Sequence, residues 1–108
     1  MDAKKKLLVV AHAPSPNTLK LRQAVEQGAK HEDIENVEVT VLPPLEAGPE
    51  DVLACDAIIL GTTENLGYMS WRLVQEPLLC HGDYRDEFED QCRELGLYMA
   101  ASLDAGLF

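Results

Sequence analysis

An apolar run that ends in a polar, glycine-bounded loop is the feature that most constrains the fold of this chain. Residues 57–60 are Ala-Ile-Ile-Leu, and residues 61–70, Gly-Thr-Thr-Glu-Asn-Leu-Gly-Tyr-Met-Ser, follow without a gap. An apolar run that does not alternate predicts a strand buried on both faces, as in a parallel sheet. Ligands of open parallel α/β sheets bind beyond the carboxyl ends of the strands. This junction is therefore expected to be a ligand site.

The rest of the chain alternates between strand and helix patterns. Residues 7–11 form a second non-alternating apolar run, which predicts a central strand, and residues 19–30 have apolar side chains at helical spacing. Residues 37–42 alternate apolar and polar, as an edge strand does, and residues 49–55 fit a short helix with proline in its first turn. Residues 87–108 predict a longer, terminal helix. This order is that of a doubly wound α/β sheet.

Composition excludes several classes of protein. The 108 residues are expected to form a single domain (residues 1–108), and the formal net charge of −10 argues against nucleic acid as a partner. Both plain solubility and docking on basic redox partners would explain the acidity. No apolar run approaches the roughly 20 residues of a membrane span, and residues 7–11 are too short for a signal peptide, so no membrane contact and a cytoplasmic location are expected.

Cysteine and histidine spacing gives no sign of a metal site or a disulfide framework. Three cysteines are irregularly spaced, with no Cys-x-x-Cys, and are read as reduced thiols. His12 lies at the end of the first predicted strand without a cysteine, histidine or carboxylate at ligand spacing beside it. No metal is therefore expected.

The segment Ser15-Pro16-Asn17-Thr18 lies between the first predicted strand and the first predicted helix. A loop there presents free N–H groups and the positive end of a helix dipole, which suit a phosphate. Serine, asparagine and threonine before a helix are also the commonest N-caps, so capping alone explains any one of them. Neither a dinucleotide-binding Gly-x-Gly-x-x-Gly nor a P-loop lysine motif is present. Nucleoside triphosphate and Rossmann interpretations are therefore weak.

Both loops resemble those of a known family. Residues 61–70 resemble the second FMN loop of flavodoxin-like proteins, particularly those related to the NAD(P)H-dependent FMN reductases, and residues 15–18 resemble their phosphate loop. The resemblance implies FMN as cofactor, with NAD(P)H or a redox partner protein as further partners. It implies phosphate contacts from Ser15, Asn17 and Thr18, and isoalloxazine and ribityl contacts from Thr62, Thr63, Glu64, Asn65, Gly67 and Tyr68. No catalytic acid or base is expected, because the flavin carries the electrons.

The resemblance breaks after Ser70, where the family continues with a helix, a fourth strand and a third FMN-facing loop. Residues 71–83 instead resemble the family's last strand and its lead-in, so an internal segment is expected to be absent here. We expect a short helix over residues 69–75 and a strand over residues 78–81. The predicted fold is a flavodoxin-like three-layer sandwich with a shortened parallel sheet of about four strands in the order 2-1-3-4. Its first and last helices cover one face and leave the other thinly covered, which favours either a homodimer or instability.

Two functions from different classes follow from these expectations. The first is an FMN-binding oxidoreductase or electron-transfer protein, in which the loops after strands 1 and 3 hold the flavin. The second is a shortened flavodoxin-like protein with weak or no FMN binding that acts as a binding or assembly module. The two retained loops favour the first function, and the absent third loop favours the second.

Overall fold

A computed structural model of the chain describes residues 4–61 and 85–106. The elements in these residues are β1 (Lys5–Ala11), α1 (Pro16–Ala29), β2 (Val37–Leu42), α2 (Pro49–Ala54), β3 (Ala57–Gly61) and α3 (Asp86–Asp104). The predicted α/β alternation is therefore confirmed. The helix predicted over residues 69–75 and the strand predicted over residues 78–81 lie outside the described residues.

The three described strands form a parallel sheet in the order β2-β1-β3. Its centre is β1, whose Leu7, Leu8 and Val9 are all buried, as expected of a strand covered on both faces. The edge strand β2 exposes Glu38 and Thr40, which confirms the prediction from its alternating pattern. The observed order matches the first three strands of the predicted one, and the predicted fourth strand is outside the described residues.

Hydrogen bonds at both ends fix the pairing of β1 with β3. At one end, the Lys6 N–H donates to Asp56 Oδ2 at 2.7 Å, and the Asp56 N–H donates to the Lys6 carbonyl at 2.8 Å. At the other end, the His12 N–H donates to the Gly61 carbonyl at 3.0 Å, directly after the paired residues Ala11 and Gly61. The two strands therefore end level with each other. We call this end of the sheet the carboxyl edge.

The helices α1 and α3 pack against each other and cover one face of the sheet, as predicted. On this helix-covered face, small and large apolar side chains from both helices meet those of the strands in one core. Its buried members are Leu7, Val9 and Ala11 of β1, Ala24, Val25 and Ala29 of α1, Ala57 and Ile59 of β3, and Cys92, Met99, Ala100 and Leu103 of α3. Burial of this apolar surface is the main source of the fold's stability.

Two glycines allow the backbones of α1 and α3 to touch. A Cβ atom on Gly28 would overlap the Arg93 carbonyl oxygen and lie 2.9 Å from the Leu97 nitrogen. A Cβ atom on Gly96 would overlap the carbonyl oxygen of Val25. Both glycines are buried, Gly28 in the last turn of α1 and Gly96 in the interior of α3, where glycine costs roughly 1 kcal/mol relative to alanine. Close packing of the helices is what offsets this cost.

On the opposite face of the sheet, which we call the α2 face, residues 4–61 and 85–106 give little cover. None of the six residues of α2 is buried. Leu53 on α2 is 86% exposed, and Leu60 of β3 is 40% exposed. The expectation that β3 is buried on both faces is therefore wrong at Leu60, beside a six-residue helix that has no buried side chain of its own.

We predict that Gly28→Ala destabilises the protein by about 3 kcal/mol, because overpacking a core costs about 1–3 kcal/mol and here the added methyl meets rigid backbone. The matched control is Gly48→Ala at the start of α2, where the atoms nearest to a Cβ would belong to the movable side chain of Glu50. Urea unfolding followed by circular dichroism measures both changes. Equal stability of the two variants would contradict the proposed backbone contact.

Candidate functional site

The carboxyl edge of the sheet brings the starts of both predicted FMN loops together. Ala11 and Gly61 are the last paired residues of β1 and β3. The first loop leaves β1 at His12, whose N–H is bonded to the Gly61 carbonyl, and the second predicted loop begins directly after Gly61. The helix α1 begins at Pro16, five residues after Ala11, so its N-terminus is within about 17 Å of this edge.

A capping box holds the N-terminus of α1. The Ser15 Oγ accepts from the Thr18 N–H at 3.2 Å, and the Thr18 Oγ1 accepts from the Ser15 N–H at 3.0 Å. Pro16 occupies the first helical position, where its missing N–H costs nothing and its fixed φ suits the helix. Two of the three residues carried over as phosphate contacts are therefore also the two halves of a helix cap.

The predicted start of this helix was too late. Residues 19–30 were expected to be helical, but α1 begins three residues earlier, at Pro16. The physical reason is the capping box, which forms the first turn over residues that the resemblance assigned to a loop. Asn17 and Thr18 are therefore the second and third residues of the helix.

The two hydroxyl groups of the cap differ in what they can offer a ligand. The Thr18 hydroxyl accepts the Ser15 N–H, and its own proton has two acceptors within the cap, the Ser15 carbonyl at 3.0 Å and the Ser15 Oγ at 2.9 Å. The Ser15 Oγ accepts the Thr18 N–H, and its own proton has the Thr18 Oγ1, 2.9 Å away, as its acceptor in the described residues. A ligand oxygen competes only with that hydroxyl. Ser15 is thus the better donor of the pair.

Asn17 takes no part in the cap. Its side chain is exposed in the first turn of α1, and within the described residues neither its amide nor its backbone N–H has a hydrogen-bond partner. The first turn of α1 contains no acidic residue. By contrast, the first turn of α2 contains Glu50 and Asp51, and the first turn of α3 contains Asp86, Glu87 and Glu89. The positive end of the α1 dipole is thus not neutralised by its own helix, which suits an anion.

The predicted ring-binding residues lie outside the described residues. They are Thr62, Thr63, Glu64, Asn65, Gly67 and Tyr68. Their assignment stays a prediction. That Ala11 and Gly61 are paired was not predicted from the sequence, because this pairing follows only from the register of β1 and β3.

Other reactive groups in the described part of the chain do not form a catalytic or metal cluster. Within residues 4–61 and 85–106, no three His, Cys, Asp or Glu side chains come together as metal ligands would. Cys55 lies at the opposite end of the sheet, beside Asp56, and its thiol donates to the Val52 carbonyl at 3.1 Å. Burial, with a smaller effect from the Asp56 charge, raises the pKa of this thiol above its ordinary value. Cys55 is therefore protonated at neutral pH, which disfavours a nucleophilic role.

The described residues fit the phosphate end of FMN. An exposed first helical turn without acidic residues, an unpartnered N–H at Asn17 and the Ser15 hydroxyl are the donors that a phosphate requires. The ring end of the cofactor would be bound by residues outside the described part of the chain. In the same described residues, no helix is both long and apolar enough to cross a membrane.

The α/β architecture and the parallel order β2-β1-β3 agree with a shortened flavodoxin-like fold. A flavodoxin from Aquifex aeolicus (strain VF5) is 35% identical to this chain over 68 residues, which are 63% of this chain and 36% of that flavodoxin. The matched region thus spans just over a third of the relative's length. This similarity supports a flavodoxin-like relationship. No protein-family model matches the chain, and no solved structure matches it significantly.

We predict that Ser15→Ala lowers the free energy of unfolding by about 1 kcal/mol, the usual cost of losing a serine N-cap. For a domain of this size that corresponds to a decrease in Tm of about 4–8 °C. The control is Ser15→Asp, whose carboxylate also accepts the Thr18 N–H, so its Tm should stay within about 2 °C of the unchanged protein. A stable alanine variant would show that the cap does not hold α1.

Proposed function

We propose that this chain is a flavodoxin-like protein that binds FMN and transfers electrons through it, either as an electron carrier or as an oxidoreductase. The observation that carries the proposal is the level ending of β1 and β3, where the His12 N–H binds the Gly61 carbonyl at 3.0 Å. This geometry supports a single cofactor reaching both predicted loops at once. The similarity to a flavodoxin supports the same choice of cofactor.

In this proposal, residues at the start of α1 bind the phosphate. The Asn17 amide and backbone N–H donate to phosphate oxygens, the Ser15 hydroxyl turns its proton away from Thr18 towards them, and Thr18 keeps the cap intact. The loop Thr62, Thr63, Glu64, Asn65, Gly67 and Tyr68 orients the ring and the ribityl chain. FMN, when bound, supplies the isoalloxazine that accepts and donates the electrons.

The same proposal includes partners other than FMN. NAD(P)H or a redox partner protein would exchange electrons with the flavin, and an acidic chain with a net charge of −10 favours a basic docking partner. A homodimer is proposed from the α2 face, where the exposed side chains of Leu53 and Leu60 would be covered by association. Size exclusion of the sample used for flavin binding measures its oligomeric state.

The alternative is a binding or assembly module that keeps the fold but holds FMN weakly or not at all. One observation favours it. The hydroxyls of Ser15 and Thr18 already have partners within the cap. Under this alternative, the segment at the start of α1 is a structural cap and nothing more.

Titration of the protein with FMN, followed by quenching of flavin fluorescence, separates the two functions. We expect stoichiometric binding, and we expect Asn17→Ala to weaken it about tenfold or more, because a hydrogen bond to a charged group contributes about 1.5–3 kcal/mol. The Tm of this variant should not change, since Asn17 makes no cap bond. Asn36→Ala, at the opposite end of the sheet before β2, is the matched control and should bind FMN normally.

The variant Ser15→Asp adds a second, independent test. It retains the cap acceptor and therefore the fold, but it places a negative charge beside the phosphate. We expect FMN binding to fall at least tenfold, since like charges in contact cost more than about 1.4 kcal/mol. Absence of binding by the folded, unchanged protein would support the alternative function. Equal FMN affinity of Ser15→Asp and the unchanged protein would show that the phosphate lies elsewhere.

A further inference from the structure

Basic residues are concentrated in the first quarter of the chain. Between Asp2 and Glu26 the sequence contains five lysines and arginines and no acidic residue, although the whole chain has a formal net charge of −10. Two of the five, Lys20 and Arg22, belong to the second turn of α1, directly after the first turn that contains Asn17. An anion that approaches the start of α1 therefore meets basic and not acidic residues from this part of the chain.

Lys20 lies on the same face of α1 as Asn17, and both residues are exposed. Residues three apart in a helix have Cβ atoms about 5–6 Å from each other. Long side chains in a helix lean towards its N-terminus and cover the turn before their own, which directs Lys20 towards the first turn of α1. The lysine ammonium has three donors on a flexible four-carbon stem. A phosphate bound by Asn17 is therefore within reach of Lys20.

The other basic residues of α1 are spaced to interact with a carboxylate. Lys30 lies four residues after Glu26, and its Nζ is 2.6 Å from Glu26 Oε2. Arg22 lies four residues before the same glutamate. The positions three and four residues from Lys20 in α1 are not acidic, and they are Pro16, Asn17, Gln23 and Ala24. Helical spacing thus places the charge of Lys30 beside a carboxylate and the charge of Lys20 beside the amide of Asn17.

We propose that Lys20 is a phosphate-binding residue that donates to the same phosphate group as Asn17; with FMN as the source of the phosphate, this inference rests on the proposed function. A hydrogen bond from an ammonium to a phosphate is charge-assisted, and it is stronger than one between neutral groups. Lys20 also makes the site selective for a negatively charged ligand. Inorganic phosphate has the same chemistry as the phosphate of FMN, so it probes the start of α1 without the flavin ring.

Titration with FMN at about 0.15 M salt tests the role of Lys20, because the Debye length is then about 8 Å and distant charges are screened. We expect Lys20→Gln to weaken FMN binding about fivefold, which corresponds to about 1 kcal/mol. The Tm should not change, because Lys20 is exposed. Lys20→Arg keeps the charge and should bind FMN within about twofold of the unchanged protein.

The matched control is Lys30→Gln. It removes the same charge from the same helix, but about 15 Å further along the helix axis. At this distance the charge is screened at the salt concentration of the titration, so FMN binding should equal that of the unchanged protein. The comparison separates a contact made by Lys20 from a general effect of net charge.

Titration with inorganic phosphate, followed by the NMR shift of the Asn17 N–H, tests the same contact without the flavin. We expect the Asn17 signal to move as phosphate is added, and we expect Lys20→Gln to need about fivefold more phosphate for half of the change. Sodium chloride at the same ionic strength is the control for screening, and it should leave the Asn17 signal in place.

The two titrations distinguish failure of this inference from failure of the proposed function. If the unchanged protein binds inorganic phosphate through Lys20 but does not bind FMN, the proposed function fails and Lys20 is a binding residue for free phosphate. If FMN binds and Lys20→Gln binds it equally well, the inference is overturned. Equal weakening by Lys20→Gln and Lys30→Gln also overturns it, because the effect then arises from net charge. A protein that binds neither FMN nor phosphate contradicts both.

Discussion

Backbone contact between α1 and α3 is the constraint on which the rest of the described structure depends. Gly28 and Gly96 let the two helices approach until carbonyl groups meet Cα positions, so their separation is fixed by covalent geometry and not by adaptable side chains. The core beneath can then be filled by small residues such as Ala24, Ala29 and Ala100. A wider helix pair would leave cavities over the sheet, at a cost that increases with their volume.

The same contact determines where the positive end of α1 lies. Because α1 is held against both α3 and the sheet, its capped first turn is presented at the end of the sheet where β1 and β3 stop. The Asp56 hydrogen bonds to Lys6 keep β3 in register at the far end of the sheet. A helix terminus and two strand ends are thus positioned by interactions well away from the site, which is how a rigid scaffold supports functional loops.

Much of the fold follows from local patterns in the sequence. The unbroken apolar run at residues 7–11 indicated a central strand, because a strand buried on both faces is apolar throughout. The alternation at residues 37–42 indicated an edge strand, because a strand with one exposed face alternates apolar and polar residues. The helical spacing of apolar residues in α1 identified the face that contains Gly28. It did not identify Gly96 as the glycine of α3 at the same helix contact. Helical spacing says which residues share a face, and only tertiary packing decides which faces meet.

The candidate site was less predictable. Serine, proline and threonine at positions 15, 16 and 18 form a recognisable cap signal, yet which hydroxyl retains a proton for a ligand depends on hydrogen bonds that only the geometry reveals. The pairing of Ala11 with Gly61 depends on strand register, which no local pattern specifies between parallel strands. For residues 62–68, resemblance to a family remains the basis of the assignment.

The thin cover given by α2 has an evolutionary consequence. None of its side chains enters the core, and the loop before it displays Leu45 fully to solvent. Substitutions, insertions or a different short helix in this crossover would change neither the α1–α3 contact nor the carboxyl edge. Changes in the crossover between β2 and β3 thus cost the described core little. Sequence change there would alter the surface that the α2 face offers to a second copy of the chain, while the strand ends and the capped helix keep their packing.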